Sequence, residues 1–502
     1  MAEKKSNLIN GQQLVRNVFW NLLGTGAPLL VAIVAIPILI QEMGLERFGV
    51  LTIAWMVVGY FSLFDLGLGR ALTKLVSEKL GNGIDDDVPA LIWTAMLLMG
   101  ALGLLGMLFV MAGSAWLVGD ILSIPPELQS ETLVAFYLLA ASIPIVISST
   151  GLRGVLEAYQ RFDIVNAVRI PLGIFTFLGP VLVLPFSNSL IPVVGVLVVA
   201  RLISWCAYVV SCRYIQPNLR RSVNIDRAMI RPLISFGSWM TVSNIVSPIM
   251  VYMDRFLIGS VISMAAVSYY ATPYEVVTKL LIVPSALMGV MFPAFAAVYE
   301  HNKPRVVYFY GRTVSYVFLA LYPAVLIIVT FSYEGISLWL GVDFADNSSL
   351  VLKFLAIGVF FNSLANVPFG LIQSAGRPDL TAKLHLVELP IYVLVLWLLM
   401  DSYGIEGVAA AWMFRVALDA SVLFITSNRL LFIPLSSHFR SIFIMFSALL
   451  FLGVGAVISD ISTKFIFLSL TFLGFSVITW LWLLNIQEKE KIRSCIKNIS
   501  AI

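Results

Sequence analysis

Thirty-two Lys and Arg residues occur in the 502-residue chain, and four of them stand inside long apolar blocks: Arg169, Arg201, Lys279 and Arg415. A charge at the centre of a bilayer costs roughly 2.5–3.5 kcal/mol even on the mildest insertion scale, so each needs a partner or a task. Arg201 has Leu197, Val198, Ser204 and Trp205 at helix-neighbour positions and no acid one turn away. A cation so placed suits an anionic ligand in a cavity, or else the carbonyl groups of a neighbouring helix. Arg169 likewise has no acid three or four positions away. It stands near enough to the end of its block to snorkel to a headgroup layer instead. Arg415 is followed one turn later by Asp419, and Lys279 is preceded one turn earlier by Glu275. For these two, a local ion pair competes with a place in a cavity. His385 and Glu388 lie three residues apart, hence on one helix face. An acid and a histidine inside a span suit proton or cation coupling, with Asp419 a third candidate; pairing with a neighbouring arginine is the alternative.

Two further charged motifs end apolar blocks. Asp65-Leu-Gly-Leu-Gly-Arg70 has the small residues that let helices approach closely. It reads as a structural corner, with gating the alternative. Asp254-Arg255 reads as an interfacial anchor, or as part of a gate.

The elements that must carry these groups follow from composition. Sixty per cent of the residues are apolar and only 12% are charged, with a mean hydropathy of +0.95; an ordinary soluble chain has about a quarter of its residues charged. The apolar blocks run to about twenty residues, the length of a helix that crosses the hydrocarbon core, and only helices satisfy their backbone there without a closed barrel. The sequence therefore predicts an all-α polytopic membrane protein with about fourteen transmembrane helices. The spans fall near 17–40, 48–68, 88–112, 131–151, 164–186, 190–212 and 232–253, then 270–298, 306–330, 349–373, 380–400, 404–427, 441–459 and 465–485. The first block is too long for a signal-peptide core and is kept as a span.

The basic residues set the orientation. Four lie inside spans, and only Arg47, Arg255, Lys353 and Lys464 border the odd-numbered loops. The other twenty-four occupy the even-numbered loops and the two tails. Positive residues stay inside, so both termini are expected in the cytoplasm. The longest loops on the other side, 113–130 and 331–348, leave no room for an extramembrane catalytic domain. No phosphate-binding Gly-x-x-x-x-Gly-Lys-[Ser/Thr] occurs, and Cys206, Cys212 and Cys495 lack pairing or metal spacing. No enzyme activity, metal, cofactor or nucleic-acid partner is expected.

An internal repeat divides the chain. Gly154-Val-Leu-Glu-Ala-Tyr-Gln-Arg161-Phe-Asp163 is echoed by Gly370-Leu-Ile-Gln-Ser-Ala-Gly-Arg377-Pro-Asp379. Arg201 and Arg415 recur at nearly the same interval, and Trp20/Pro28 with Trp239/Pro248 form a weaker echo. An even number of spans separates the copies, so the halves share one orientation, an arrangement of transporters whose halves rock about a central site. The expected organisation is a cytoplasmic tail (1–16), an N-lobe of six spans (17–212), a cytoplasmic linker (213–231) and a C-lobe of six spans (232–427). A last pair of spans (441–485) and a second cytoplasmic tail (486–502) follow.

Several segments carry a family resemblance: Arg47-Phe-Gly-Val-Leu, Phe64-Asp-Leu-Gly-Leu-Gly-Arg70-Ala-Leu, Phe236-Gly-Ser-Trp239 with Asn244, Pro248 and Asp254-Arg255-Phe, and Gly370 through Asp379. In this order the chain resembles the Wzx-type polysaccharide flippases, in the superfamily that also holds MATE drug exporters and the lipid II flippase MurJ. The resemblance implies two six-helix lobes around a central cavity and transport of undecaprenyl-diphosphate-linked oligosaccharide from the cytoplasmic to the periplasmic leaflet of the bacterial inner membrane. It also implies a cationic cavity for the pyrophosphate, drive from an H+ or Na+ gradient or the membrane potential, and polysaccharide polymerase or assembly proteins as partners. On that reading Arg201, Arg169, Arg415 and Lys279 are the candidate substrate-binding cations. A MATE-like cation or drug antiporter shares the architecture, but acids rather than bases should then dominate mid-span. A membrane oligosaccharide polymerase or ligase is the enzyme alternative, and the short loops argue against it.

Overall fold

The computed structural model describes residues 28–63, 65, 67–81, 87–159, 161–220, 225–299, 302–434, 439–486 and 488–490. The tail 1–16, the first part of the expected span 17–40 with Trp20, linker residues 221–224, and the C-terminal tail beyond 490 with Cys495 lie outside the described residues. So do the side chains of the segment from Phe236 to Pro248.

No strand occurs among the described residues. The chain runs through α1 (Pro28–Met43), α2 (Leu45–Leu63), α3 (Leu68–Gly81), α4 (Val88–Trp116), α5 (Pro126–Ala158), α6 (Phe162–Val183) and α7 (Leu190–Ile215). Then come α8 (Ile230–Val261), α9 (Met264–Val277), α10 (Ile282–Tyr299), α11 (Lys303–Thr330), α12 (Ser332–Leu340) and α13 (Val342–Ser374). The last three are α14 (Pro378–Leu430), α15 (Phe439–Val457) and α16 (Ile461–Ile478). Among the described residues eight helices are long and apolar enough to cross a membrane, and two more are shorter and apolar. The protein is thus an all-α, multi-pass membrane protein. α14 covers two of the spans expected from sequence. Its backbone breaks from helical geometry at Gly404 (φ 56°, ψ −137°), the joint expected between two spans.

Two expected boundaries move. The block 270–298 is interrupted by a 3-10 turn at Thr278–Leu281. Pro284 explains it, since its ring clashes with the carbonyl four residues back and it offers no N–H to the helix. The loop expected at 331–348 is helical, with α12 and α13 separated by Gly341 at φ 94°.

Two compact units emerge. The first holds the residues up to Lys279 together with 385–396 and 400–405, and the second holds the remainder. In the first, α3 buries one face through Leu68, Ala71, Leu72 and Val76 against α4 and α5. Its opposite face carries Arg70 and Lys74 into the open. Helices close in through small residues, the means available where lipid removes the hydrophobic drive. At Gly103 a Cβ would stand 2.6 Å from Pro144 Cα of α5. In the second unit Gly358 of α13 makes the notch for the buried Trp412 of α14; a Cβ there would meet the indole at 2.4 Å.

Candidate functional site

The two halves of the sequence repeat build the same joint. After α5, the Arg161 backbone N–H donates to Leu156 O (2.9 Å), and after α13, that of Arg377 donates to Ile372 O (3.1 Å). Each arginine then folds a fork onto the acid two residues on: Arg161 onto Asp163 at 3.0 and 2.9 Å, and Arg377 onto Asp379 at 2.9 and 3.2 Å. These forks are exposed and tie helix ends.

The Asp65 corner is closed by hydrogen bonds. Its carboxylate accepts from the Gly67 and Gly69 N–H groups at 3.0 Å each and from Thr150 Oγ1 at 3.2 Å. It thereby satisfies donors at the start of α3 that have no partner within the helix. Gly67 turns with φ 75°, and a Cβ on Gly154 would stand 2.9 Å from Gly69 O. Arg70, next in the chain, is exposed.

Of the cations inside apolar blocks, Arg201 is half-buried near the middle of α7. Among the described residues its only hydrogen bond is from Nη1 back to Leu197 O at 3.3 Å. Arg169 is exposed on α6 and takes part in no ion pair among the described residues. Arg415 and Asp419 are both half-buried, one turn apart on α14 in the second unit. Glu388 is buried and His385 half-buried, on the stretch of α14 that belongs to the first unit.

Lys279 is part of a larger polar cluster. Expected as an interfacial pair, Asp254 and Arg255 are instead enclosed by protein, at 0% and 2% exposure. The reason is that α8 continues to Val261 and α9 begins at Met264, so the pair stands about 10 Å back from the hairpin tip at 1.5 Å per residue. Asp254 accepts from the Arg255 N–H at 2.7 Å and from Tyr270 Oη at 2.5 Å. Arg255 reaches Glu275 at 3.2 Å, and Lys279 reaches the other oxygen of Glu275 at 3.3 Å. The guanidinium carbon lies 4.4 Å from the Tyr274 ring centroid and 5.9 Å from that of Tyr252. The Glu275–Lys279 spacing was visible in sequence; the tie from Arg255 to Glu275, and Tyr270 with it, was not.

An all-helical, multi-pass chain with charges enclosed inside its apolar helices has the makings of a membrane transporter, and the fold agrees. The chain is similar to the inward-facing conformation of a multidrug resistance MATE family transporter of the MOP superfamily, with a TM-score of 0.65 and 13% identity over 82% of this chain and 98% of that one. It is also similar, with a TM-score of 0.60 and 13% identity over 83% of this chain and 95% of that one, to a MOP superfamily transporter from Pyrococcus furiosus. That protein is described as having a binding pocket whose reverse polarity suggests a different function. The sequence narrows the class. Residues 14–298 match the family described as "Polysaccharide biosynthesis protein". The chain is 33% identical over 414 residues to the "Putative O-antigen transporter" of Shigella flexneri, covering 82% of this chain and 96% of that protein. The protein therefore belongs to the polysaccharide biosynthesis protein family of membrane transporters.

Proposed function

We propose that the protein flips undecaprenyl-diphosphate-linked oligosaccharide from the cytoplasmic to the periplasmic leaflet of the bacterial inner membrane, by alternating access and without a catalytic site of its own. The observation that carries this reading is Arg201, a half-buried cation in the middle of a span with no acid beside it among the described residues. A diphosphate crossing hydrocarbon needs fixed cations along its path, and the guanidinium fork matches phosphate oxygens. The prenyl tail can remain in lipid, so the protein need hold only the head. The relative named as an O-antigen transporter supports a glycan-bearing substrate.

In this proposal Arg201, Arg169, Arg415 and Lys279 serve the head group, and Glu388, His385 and Asp419 couple transport to an H+ or Na+ gradient. Fourteen spans, in two six-helix lobes (17–212 and 232–427) and a last pair (441–485), place both termini in the cytoplasm. Polysaccharide polymerase and assembly proteins are its partners. The test is complementation of a flippase-deficient strain. Wild type should restore surface glycan, and Arg201→Ala should not. A wild type that fails to restore glycan yet extrudes cationic dyes from proteoliposomes would instead make the protein a drug antiporter. Full activity of Arg201→Ala would remove Arg201 from the site.

A further inference from the structure

The hairpin of α8 and α9 holds an arginine with less hydrogen bonding than it can use. A guanidinium carries five N–H donors. The Arg255 side chain is 2% exposed, and its Nε–H is buried without an acceptor among the described residues. Its charge is met by Glu275, which gives Oε1 to Arg255 at 3.2 Å and Oε2 to Lys279 at 3.3 Å. Charge-assisted N–H···O bonds usually close to about 2.7–2.9 Å, so one carboxylate is stretched between two cations. The neighbouring acid, Asp254, accepts from the Arg255 backbone and from Tyr270. Tyr274 walls the guanidinium at 4.4 Å. Glu275 and Lys279 are 26% and 30% exposed, so the open side of the cluster is the side on which the carboxylate lies.

We propose that Arg255 and Lys279 form a phosphate-ester subsite, and that Glu275 is its internal stand-in, displaced when a diphosphate head arrives. The proposal rests on the reading of the substrate given above and assigns Arg255 to binding rather than to anchorage. Two carboxylate oxygens cannot satisfy both cations and the Arg255 Nε–H together, whereas a diphosphate brings more charge and more acceptor oxygens. The displaced Glu275 side chain already borders the open side. The exchange also makes release possible. A buried cation left without any partner is strongly unfavourable, so a site with no substitute anion would hold its cargo. With Glu275 returning as the head group leaves, Arg255 is never stranded.

The experiment uses the full-length protein in phosphatidylcholine nanodiscs and inorganic pyrophosphate as the probe. Glu275→Gln keeps shape and hydrogen-bonding atoms while removing the competing charge, so it should bind pyrophosphate at least about tenfold more tightly than wild type, the equivalent of one charge-assisted hydrogen bond. Lys279→Gln should bind it about tenfold more weakly. Glu275→Gln binding no more tightly than wild type, with its thermal unfolding midpoint unchanged, overturns the proposal. If that variant unfolds early, Glu275→Asp decides, since it keeps the charge but is too short to span both cations: it should also bind more tightly, and unchanged or weaker binding overturns the proposal. Repeating the titration in phosphatidylglycerol nanodiscs separates the sources of phosphate. Competition there that Glu275→Gln strengthens assigns the subsite to bilayer headgroups as well, and its absence assigns it to the diphosphate alone. Complementation is read separately. Wild type that restores glycan while Glu275→Gln gains no affinity sinks the subsite and spares the flippase. Tighter binding by Glu275→Gln, with wild type failing to restore glycan, keeps the subsite and sinks the glycan.

Discussion

Buried charge is handled in two ways in this protein. In the second unit, the last helix pair is fastened to the rest by short contacts in which each acid pairs with one cation. Lys464 at the start of α16 is 5% exposed and donates to both oxygens of Glu334, at 2.7 and 2.8 Å. Beside it, Lys353 of α13 donates to Ala456 O at 2.7 Å. At the other end of the pair, Arg312 of α11 donates to Glu488 and to Leu483 O, and Tyr316 also donates to Glu488. In the first unit, the Arg255 cluster shares one carboxylate between two cations at longer distance. Short contacts with one cation to each acid belong to fastening. Long and shared contacts leave room for a visitor.

The sharpest way to break that comparison is to remove one partner from each side. Lys464→Met strands Glu334 next to apolar helices. Breaking an enclosed pair costs about 3–5 kcal/mol. Because Glu334 is 28% exposed, the expected loss here is on the order of 2–3 kcal/mol. It should appear as a lowered unfolding midpoint in detergent, with glycan rescue reduced only as far as protein abundance falls. A loss of rescue at normal abundance would place Lys464 among the working residues.

Arg255→Lys is the counterpart. It keeps the charge and surrenders the fork, which is not a conservative change at a site that serves several oxygens. Glycan rescue should fall about tenfold, worth roughly 1.4 kcal/mol, while the unfolding midpoint moves little because Glu275 keeps a cation. Equal losses in the midpoint and in rescue would put Arg255 in the same class as Lys464 and erase the distinction.

The difference between the two regions also marks what the sequence could tell. The helical class was legible because apolar blocks of spanning length have no other use. The repeat around Arg161 and Arg377 was legible because a joint built from local bonds needs the same residues each time, and both joints show the same i to i−5 backbone bond and the same fork. The Asp65 corner was legible as a corner for the same reason, since its partners Gly67 and Gly69 are two and four residues away. The enclosed pairs were not. Glu334 and Lys464 are 130 residues apart, and Arg255 and Glu275 are joined across a hairpin whose tip carries no turn signal stronger than Ser263. Hydropathy ended the helix at 253, and the eight further residues of α8 turned an expected border charge into a buried one. Arg201 was visible from sequence as a charge without a local partner, but hydropathy alone assigns no ligand to it.

A smaller test concerns the other fastening of the last helix pair. Arg312 and Glu488 are 16% and 21% exposed, more open than Lys464. Arg312→Gln should therefore lower the unfolding midpoint by the equivalent of about 1 kcal/mol, the upper part of the range for partly exposed pairs. The double variant with Glu488→Gln should recover part of the loss, since no acid is then left facing an uncharged neighbour. An effect matching that of Lys464→Met would mean that closure to water does not set the strength of these contacts.

The least effect is expected at the turn into α16. Asp460 caps that helix, accepting from the Thr463 N–H and Thr463 Oγ1 at 2.8 Å each. The Thr463 backbone hydrogen bond, followed by the hydroxyl, holds its carboxyl below the usual carboxylate range. A lowered folded-state pKa stabilises the fold above the unfolded value, near about 3.9 for aspartate. That contribution is lost as pH falls through the folded value. The cap should thus leave the unfolding midpoint flat between about pH 5 and 8 and steepen its fall only below about pH 4. Asp460→Asn keeps a capping oxygen and does not titrate, so it should flatten the acid limb and leave the neutral plateau in place. An acid limb as steep in Asp460→Asn as in wild type would assign that limb to other carboxylates.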